Sequence, residues 1–184
     1  MHINPTVFPE VLLLCPQIFS DDRGYFYEGF HESRYKQNGM VKPFVQDNLS
    51  RSCHGVFRGL HYQLGRPQAK LVSVIRGKVF DVVVDVRPRS ATFGQWFGEI
   101  LSDENHWQLY IPEGFAHGFC VLSDEADFLY KCTDYYYPAG EEGIHFADPE
   151  IGIKWPLPLA DAIVSSKDAI LPRLKEVSID HLPS

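Results

Sequence analysis

This sequence predicts an all-β fold, a sandwich or barrel of about nine strands, and three observations carry that expectation. Short runs rich in valine, isoleucine, phenylalanine and tyrosine recur along the 184 residues, separated by glycine, proline or aspartate clusters. In KVFDVVVDV, Asp81, Val83 and Asp85 alternate with Phe80, Val82, Val84 and Val86, the two-residue period of a strand with one apolar and one partly polar face. Helical signals are few.

In chain order the expected strands lie in VFPEVLLLC (7–15), PFVQDNLSR (43–51), GVFRGLHYQ (55–63), AKLVSVI (69–75) and KVFDVVVDV (78–86). GQWFGEILS (94–102), HWQLYIP (106–112), HGFCVLS (117–123) and ADFLYKCTDYY (126–136) complete the set. Turn chemistry at Ser20 to Gly24, Arg76 to Lys78 and Arg87 to Ser90 divides the chain in the same places. HESRYKQNG predicts one short helix ending at Gly39, and SSKDAILPRL a second, with Ser165 or Ser166 as N-cap and Asp168 in its first turn. Without linker, low-complexity tract or repeat, residues 1–184 are expected to form a single domain with an interior wide enough for a ligand.

Composition narrows the function. A net charge of −7 argues against nonspecific binding to nucleic acid or to an anionic membrane, since both require a positive field. Locally grouped arginine and lysine still allow an anionic small ligand. Cys15, Cys53, Cys120 and Cys132 form no CxxC pair, which fits reduced thiols. VLLLCP lacks a basic flank and is too short to be a signal core or a span, so a cytoplasmic location is expected.

The stretch RGLHYQ (58–63) places polar residues in an expected strand, and interior polar groups require partners because each unpaired one costs about 1–3 kcal/mol. The region from Gln46 to Lys70 is dense in them. Gln46 and Asn48 share one strand face, as do His61 and Gln63. Strict alternation sets Arg58 opposite His61, so both serve one pocket only if the strand bulges near Gly59. Each residue also has a plain structural reading: Lys70 as an exposed-edge lysine, Arg23 as a turn residue paired with Asp21 or Asp22, Asp168 as a helix-start carboxylate. Tyr130 is the most interior of the tyrosines in ADFLYKCTDYY and its neighbour, with Tyr135, Tyr136 and Tyr137 behind it.

IPEGFAHGF (111–119) resembles the second signature of the cupin superfamily, and the stretch from Gly55 onward occupies the place of the first. Where metal-binding cupins carry a His-x-His pair and a glutamate, this chain has His61-Tyr62-Gln63 and Lys70. An ammonium repels a divalent ion, so neither a metal nor any other cofactor is expected. A histidine beside fixed cations can instead remove an acidic proton from carbon next to a ketone while the cation stabilises the enolate oxygen.

FVQDNLSRS, GVFRGLHYQ, KLVSVIRGKVFDVVVDVR, TFGQW, IPEGFAHGF, FLYKCTDYY and GIKWP together resemble the dTDP-4-dehydrorhamnose 3,5-epimerase family, in order from Pro9 to Pro172. The resemblance implies a cupin-like jelly roll, a homodimer, no metal, and a dTDP-4-dehydro-6-deoxy-glucose substrate whose 4-keto group acidifies C3 and C5. It implies that His61 is the base, Asp168 its orienting partner, Lys70 the enolate stabiliser and Tyr130 the acid on the other face. It assigns Arg23, Glu28, Gln46, Asn48 and Arg58, with His117, Tyr136, Glu141 and Trp155, to the sugar nucleotide or pocket wall. Arg23 and Arg58 would suit the diphosphate, whose oxygens match a guanidinium fork. Two positions depart from the pattern: Ser166 stands for an acidic residue and Glu142 for a basic one. Related enzymes invert C3 or C5 alone, which makes single epimerisation the runner-up; a metal-dependent oxygenase and a noncatalytic sugar-binding cupin are the alternatives of other classes.

Overall fold

A computed structural model describes residues 1–183 and shows two antiparallel sheets packed face to face, the expected cupin-like jelly-roll architecture. The strands are β1 (His2–Asn4), β2 (Leu12–Cys15), β3 (Ile18–Asp21), β4 (Gly24–Tyr27), β5 (Gln46–Cys53), β6 (Phe57–Gln63) and β7 (Lys70–Arg76). They continue with β8 (Lys78–Asp85), β9 (Trp96–Ser102), β10 (Gln108–Ile111), β11 (Phe115–Val121), β12 (Glu125–Cys132) and β13 (Glu141–Gly143). Six strands form one sheet in the order β1-β2-β10-β7-β12-β5, and five form the other in the order β13-β6-β11-β8-β9. β3 and β4 make a separate hairpin. All nine expected runs contain a strand; β1, the hairpin and β13 were not anticipated.

The main core lies between the sheets. Leu13, Val72, Leu109 and Phe128 from the first sheet meet Val79, Val83, Phe115 and Phe119 from the second, all of them buried. Such burial stabilises by about 25 cal/mol per Å² of apolar surface. The single α-helix among the described residues, α1 (Glu32–Gln37), ends before Gly39 as its sequence predicts and places Tyr35 on the outer face of the six-stranded sheet.

β8 corrects one expectation. Its polar face is not solvated: Asp81 and Asp85 are both 0% exposed, as are Val82 and Val84 on the other face. The outer face is covered by the returning C-terminal segment through Ile144, Ile151 and Leu174, and the inner face belongs to the sandwich. Asp85 accepts from Arg87, Ser90 and Thr92, which close the loop after the strand.

The second expected helix is also corrected. SSKDAILPRL forms only the 3-10 turn Asp168–Ile170, because Pro172 removes a donor and forbids continuation; a second turn, Leu174–Glu176, starts at its last residue. Ser165 nevertheless caps the turn, its Oγ accepting from the Asp168 N–H at 3.0 Å. All four cysteines are unpaired, and among the described residues no helix is long and apolar enough to cross a membrane.

Candidate active site

A cavity of about 520 Å³ opens at one end of the sandwich, with Arg58, His61, Lys70, His117, Tyr130 and Asp168 in its wall. A second hollow of about 320 Å³ continues from it, sharing His61, Lys70 and Tyr130 and adding Gln46, Asn48, Tyr136 and Glu141.

Arg58 and His61 reach the same cavity because β6 is irregular where the alternation required it. The pairing of β6 with β11 runs His117 against His61 and then shifts, so that Phe119 faces Arg58. Gly59 has φ +104°, and a Cβ there would come within 2.5 Å of the His117 carbonyl oxygen. On the opposing strand a Cβ at Gly118 would meet the Arg58 carbonyl oxygen at 2.4 Å. Two glycines face to face therefore let the strands close over the bulge.

His61 is oriented by a residue far away in sequence. Its Nε2 lies 2.7 Å from Asp168 Oδ1, and Asp168 Oδ2 accepts the backbone N–H of Gly59 at 3.3 Å. The C-terminal segment is brought there by a short parallel bridge: Phe57 N–H donates to Ile163 O and Ile163 N–H to Gly55 O. Burial works against ionisation of Asp168, but the bonds from His61 and Gly59 outweigh it and hold the carboxyl below its ordinary value. An ionised Asp168 accepts a proton-bearing Nε2, and a neutral imidazole held in that way presents the lone pair of Nδ1.

Around this imidazole stand groups of opposite character. Burial pushes the Lys70 ammonium below its ordinary value, with Cys132 and Glu141 opposing. Among the described residues, neither its Nζ nor the Tyr130 hydroxyl has a hydrogen-bonding partner, while both side chains line the cavity. Burial raises the Tyr130 phenol, so it stays protonated at neutral pH. Arg58 Nε donates to Ser52 Oγ at 3.0 Å. In the second hollow Gln46 Nε2 donates to Asn48 Oδ1 at 3.0 Å, and the Tyr136 hydroxyl donates to Glu141 at 2.5 Å. Lys167 pairs with the same carboxylate at 2.5 Å.

A second histidine–aspartate pair sits beside the first. His117 Nε2 lies 2.9 and 3.1 Å from the two carboxylate oxygens of Asp81. Its ring is stacked along Phe128, with centroids 5.9 Å apart.

The sequence profile described as dTDP-4-dehydrorhamnose 3,5-epimerase matches residues 5–176. The chain belongs to the dTDP-4-dehydrorhamnose 3,5-epimerase family. It is 54% identical over 168 residues to the enzyme of that name from Neisseria gonorrhoeae, a match that covers 91% of this chain and 51% of the relative. This chain thus spans about half the length of that relative. A dTDP-6-deoxy-D-glucose-3,5-epimerase from Legionella pneumophila, solved in complex with dTDP-4-keto-L-rhamnose, superposes with a TM-score of 0.96 at 52% identity, covering 99% of this chain and 97% of that one. A 3'-monoepimerase from Streptomyces bikiniensis, solved with dTDP-quinovose, superposes at 0.88 with 35% identity, covering 95% and 88%.

Ten of the thirteen site residues named from this family's pattern surround the two hollows, while Arg23, Glu28 and Trp155 do not. Arg23 is at the tip of the β3–β4 hairpin, 90% exposed and paired with Asp21. Glu28 follows the hairpin and pairs with Arg34. Trp155 packs against Phe57 and Phe80, and its Nε1–H donates to the Phe146 carbonyl at 2.9 Å, so it supports the cavity floor from behind. Of the departures from the family's pattern, Glu142 pairs with His181 at 2.7 Å and tethers the C-terminal segment to β13. Residues that sequence reasoning missed are Ser165 and Lys167 in the cavity wall and Asp81 behind it. Lys167 stands beside Asp168 in SSKD; its neighbour drew attention, but the expected helix gave no reason to turn the lysine inward.

Proposed function

We propose that this protein inverts C3 and C5 of dTDP-4-dehydro-6-deoxy-D-glucose, giving dTDP-4-dehydro-L-rhamnose for dTDP-rhamnose biosynthesis. The observation that carries the reading is the 2.7 Å pair between His61 and Asp168 at the edge of a cavity shared with Lys70 and Tyr130. The names of the Neisseria gonorrhoeae and Legionella pneumophila relatives support the same reaction and the same substrate class.

In the proposed mechanism, Nδ1 of His61 takes the proton from carbon beside the 4-keto group. The Asp168 carboxylate balances the imidazolium that forms. Charge moves to the 4-oxygen, where the desolvated ammonium of Lys70 stabilises it; in a partly buried site that interaction is stronger than in water. Tyr130 then delivers a proton to the opposite face of the carbon, and the configuration inverts. His61 then releases its proton to solvent and the Tyr130 phenolate takes one from solvent, and with both groups reset the same steps invert the other carbon. Arg58 and Lys167 in the cavity wall supply local cations for the diphosphate in a chain whose net charge is −7.

The proposal extends to a single domain spanning residues 1–184, a cytoplasmic location and a homodimer. The dimer is supported by the hairpin, which exposes Phe19 and Phe26 by 55% and 68% and carries Arg23 away from its own cavity. Incubation of the keto sugar nucleotide in heavy water tests the activity. Deuterium at both C3 and C5 of an inverted product is expected. Exchange at one carbon selects the single epimerase, and no exchange at either removes the epimerase reading.

A further inference from the structure

We propose that Asp81 is a positioning residue that fixes His117 as a hydrogen-bond donor into the cavity, so that the two histidine–aspartate pairs hold their protons in opposite senses. Asp81 is 0% exposed, and among the described residues its carboxylate meets one side-chain partner, Nε2 of His117. The His117 side chain is itself only 10% exposed.

Three proton arrangements are open to such a pair. An ionised aspartate with a neutral imidazole protonated on Nε2 carries a net charge of −1. An ionised aspartate with an imidazolium is neutral overall. So is a protonated aspartate donating to Nε2 of an imidazole whose own proton sits on Nδ1. The first arrangement buries an uncompensated charge, which costs several kcal/mol. Both arrangements that avoid this cost place a proton on Nδ1. Burial raises the Asp81 carboxyl against the opposing pull of His117, in the same direction.

The His61 pair resolves the other way for visible reasons. Asp168 has a second donor in the Gly59 N–H, and its histidine side chain is 30% exposed to the open cavity, so the anion keeps hydrogen-bond support and nearby solvent when the imidazole is neutral. His61 therefore offers a lone pair and His117 a proton. Stacking on Phe128 and the double contact with Asp81 hold the His117 ring in place. A fixed N–H in the cavity wall suits an oxygen that gains negative charge, or a sugar hydroxyl that must be oriented. Only the identity of that acceptor as part of a keto sugar rests on the epimerase reading.

Nitrogen-15 NMR of histidine side chains in the ligand-free protein at neutral pH tests the proton positions, with His117 assigned by the loss of its signals in His117→Gln. Expected is a protonated Nδ1 in His117 and an unprotonated Nδ1 in His61. An unprotonated Nδ1 in His117 overturns the proposal. Kinetics on the keto sugar nucleotide give the second arm. Asp81→Ala frees the ring and should lower kcat about 100-fold with KM little changed. Asp81→Asn, whose amide can donate to Nε2 and leave the proton on Nδ1, should stay within about tenfold of the unmodified enzyme. If both variants lose activity equally, in proportion to their lowered melting temperatures, Asp81 serves packing alone and the proposal fails. The spectrum of the unmodified protein decides the matter even if neither variant folds. A protonated Nδ1 in a protein that exchanges no substrate hydrogen would leave the Asp81 assignment standing and remove the epimerase reading.

Discussion

Replacing Asp168 by Asn changes one atom and should disable the base. The carboxylate now accepts two hydrogen bonds, from His61 Nε2 at 2.7 Å and from the Gly59 N–H at 3.3 Å, in a site where Asp168 is 4% exposed. An amide has one acceptor and one donor end. If its oxygen faces His61, its NH2 opposes the Gly59 N–H and a buried donor goes unsatisfied. If it flips, its NH2 donates to Nε2, the imidazole proton moves to Nδ1, and no lone pair remains for the substrate. Loss of a charge-assisted bond costs about 1.5–3 kcal/mol, or roughly 10- to 150-fold in rate, and the wrong tautomer adds to that. The expected decline in kcat is therefore about 10²- to 10⁴-fold, the upper end being what the same change costs in a catalytic triad. KM should change little, because Asp168 acts through His61. The assay is steady-state turnover together with deuterium incorporation from heavy water, both of which should fall. A kcat within about threefold of the unmodified enzyme, with His61→Ala inactive, would refute the orienting role.

Three further outcomes follow from the same structure. Tyr130→Phe removes the proton donor and leaves the base, so heavy water should still label the substrate while inversion slows by about 100-fold or more; equal loss of labelling and inversion would place Tyr130 in proton abstraction instead. Asp85 is held at about 2 because hydrogen bonds from Arg87, Ser90 and Thr92 outweigh the cost of its burial. A folded value below the unfolded one means that this stability, about 2 kcal/mol, is present above about pH 4 and is lost as pH falls toward about 2. Urea unfolding should show Asp85→Asn less stable at neutral pH by about that amount, with the gap closing in acid; a gap that does not narrow contradicts the linkage. Trp155→Phe removes the bond to the Phe146 carbonyl and should lower stability by about 1 kcal/mol, leaving KM for the sugar nucleotide within about twofold, whereas a tenfold rise in KM would return Trp155 to the ligand wall.

What the letters disclosed depended on how local the cause was. The inward placement of Gln46, Asn48, His61 and Gln63 follows from a two-residue period and needs only one strand at a time. Arg58 was ambiguous because its direction depends on a bulge at Gly59 that closes only against Gly118, on another strand. The pairing of Asp168 with His61 spans 107 residues and was reached through family resemblance alone. Asp81 stayed hidden for a different reason: alternation marks a polar face without saying whether that face meets solvent or a buried imidazole. Arg23 and Glu28 matched a pattern, but a pattern does not carry the position of the hairpin that bears the one and precedes the other.

The site exists because one sheet face changes chemistry along its length while keeping its geometry. On the inward face of β12, Ala126 and Phe128 belong to the core, Tyr130 borders the cavity, and Cys132 lies beside Asn48. The partners of these four on β5 are Ser52, Ser50, Asn48 and Gln46, so the edge strand brings polarity to every inward position. A fully enclosed core could not hold that set, since each desolvated group would need a partner of its own. Most are satisfied within the protein: Ser52 by Arg58, Gln46 by Asn48 and by the Tyr136 N–H. Among the described residues no fully buried side-chain nitrogen or oxygen lacks a hydrogen bond, so the ammonium of Lys70 and the hydroxyl of Tyr130 keep access to the cavity. Those two groups thus border the same hollow as His61. A sandwich that packed this end as tightly as the other would gain apolar burial and lose the cavity that His61, Lys70 and Tyr130 share.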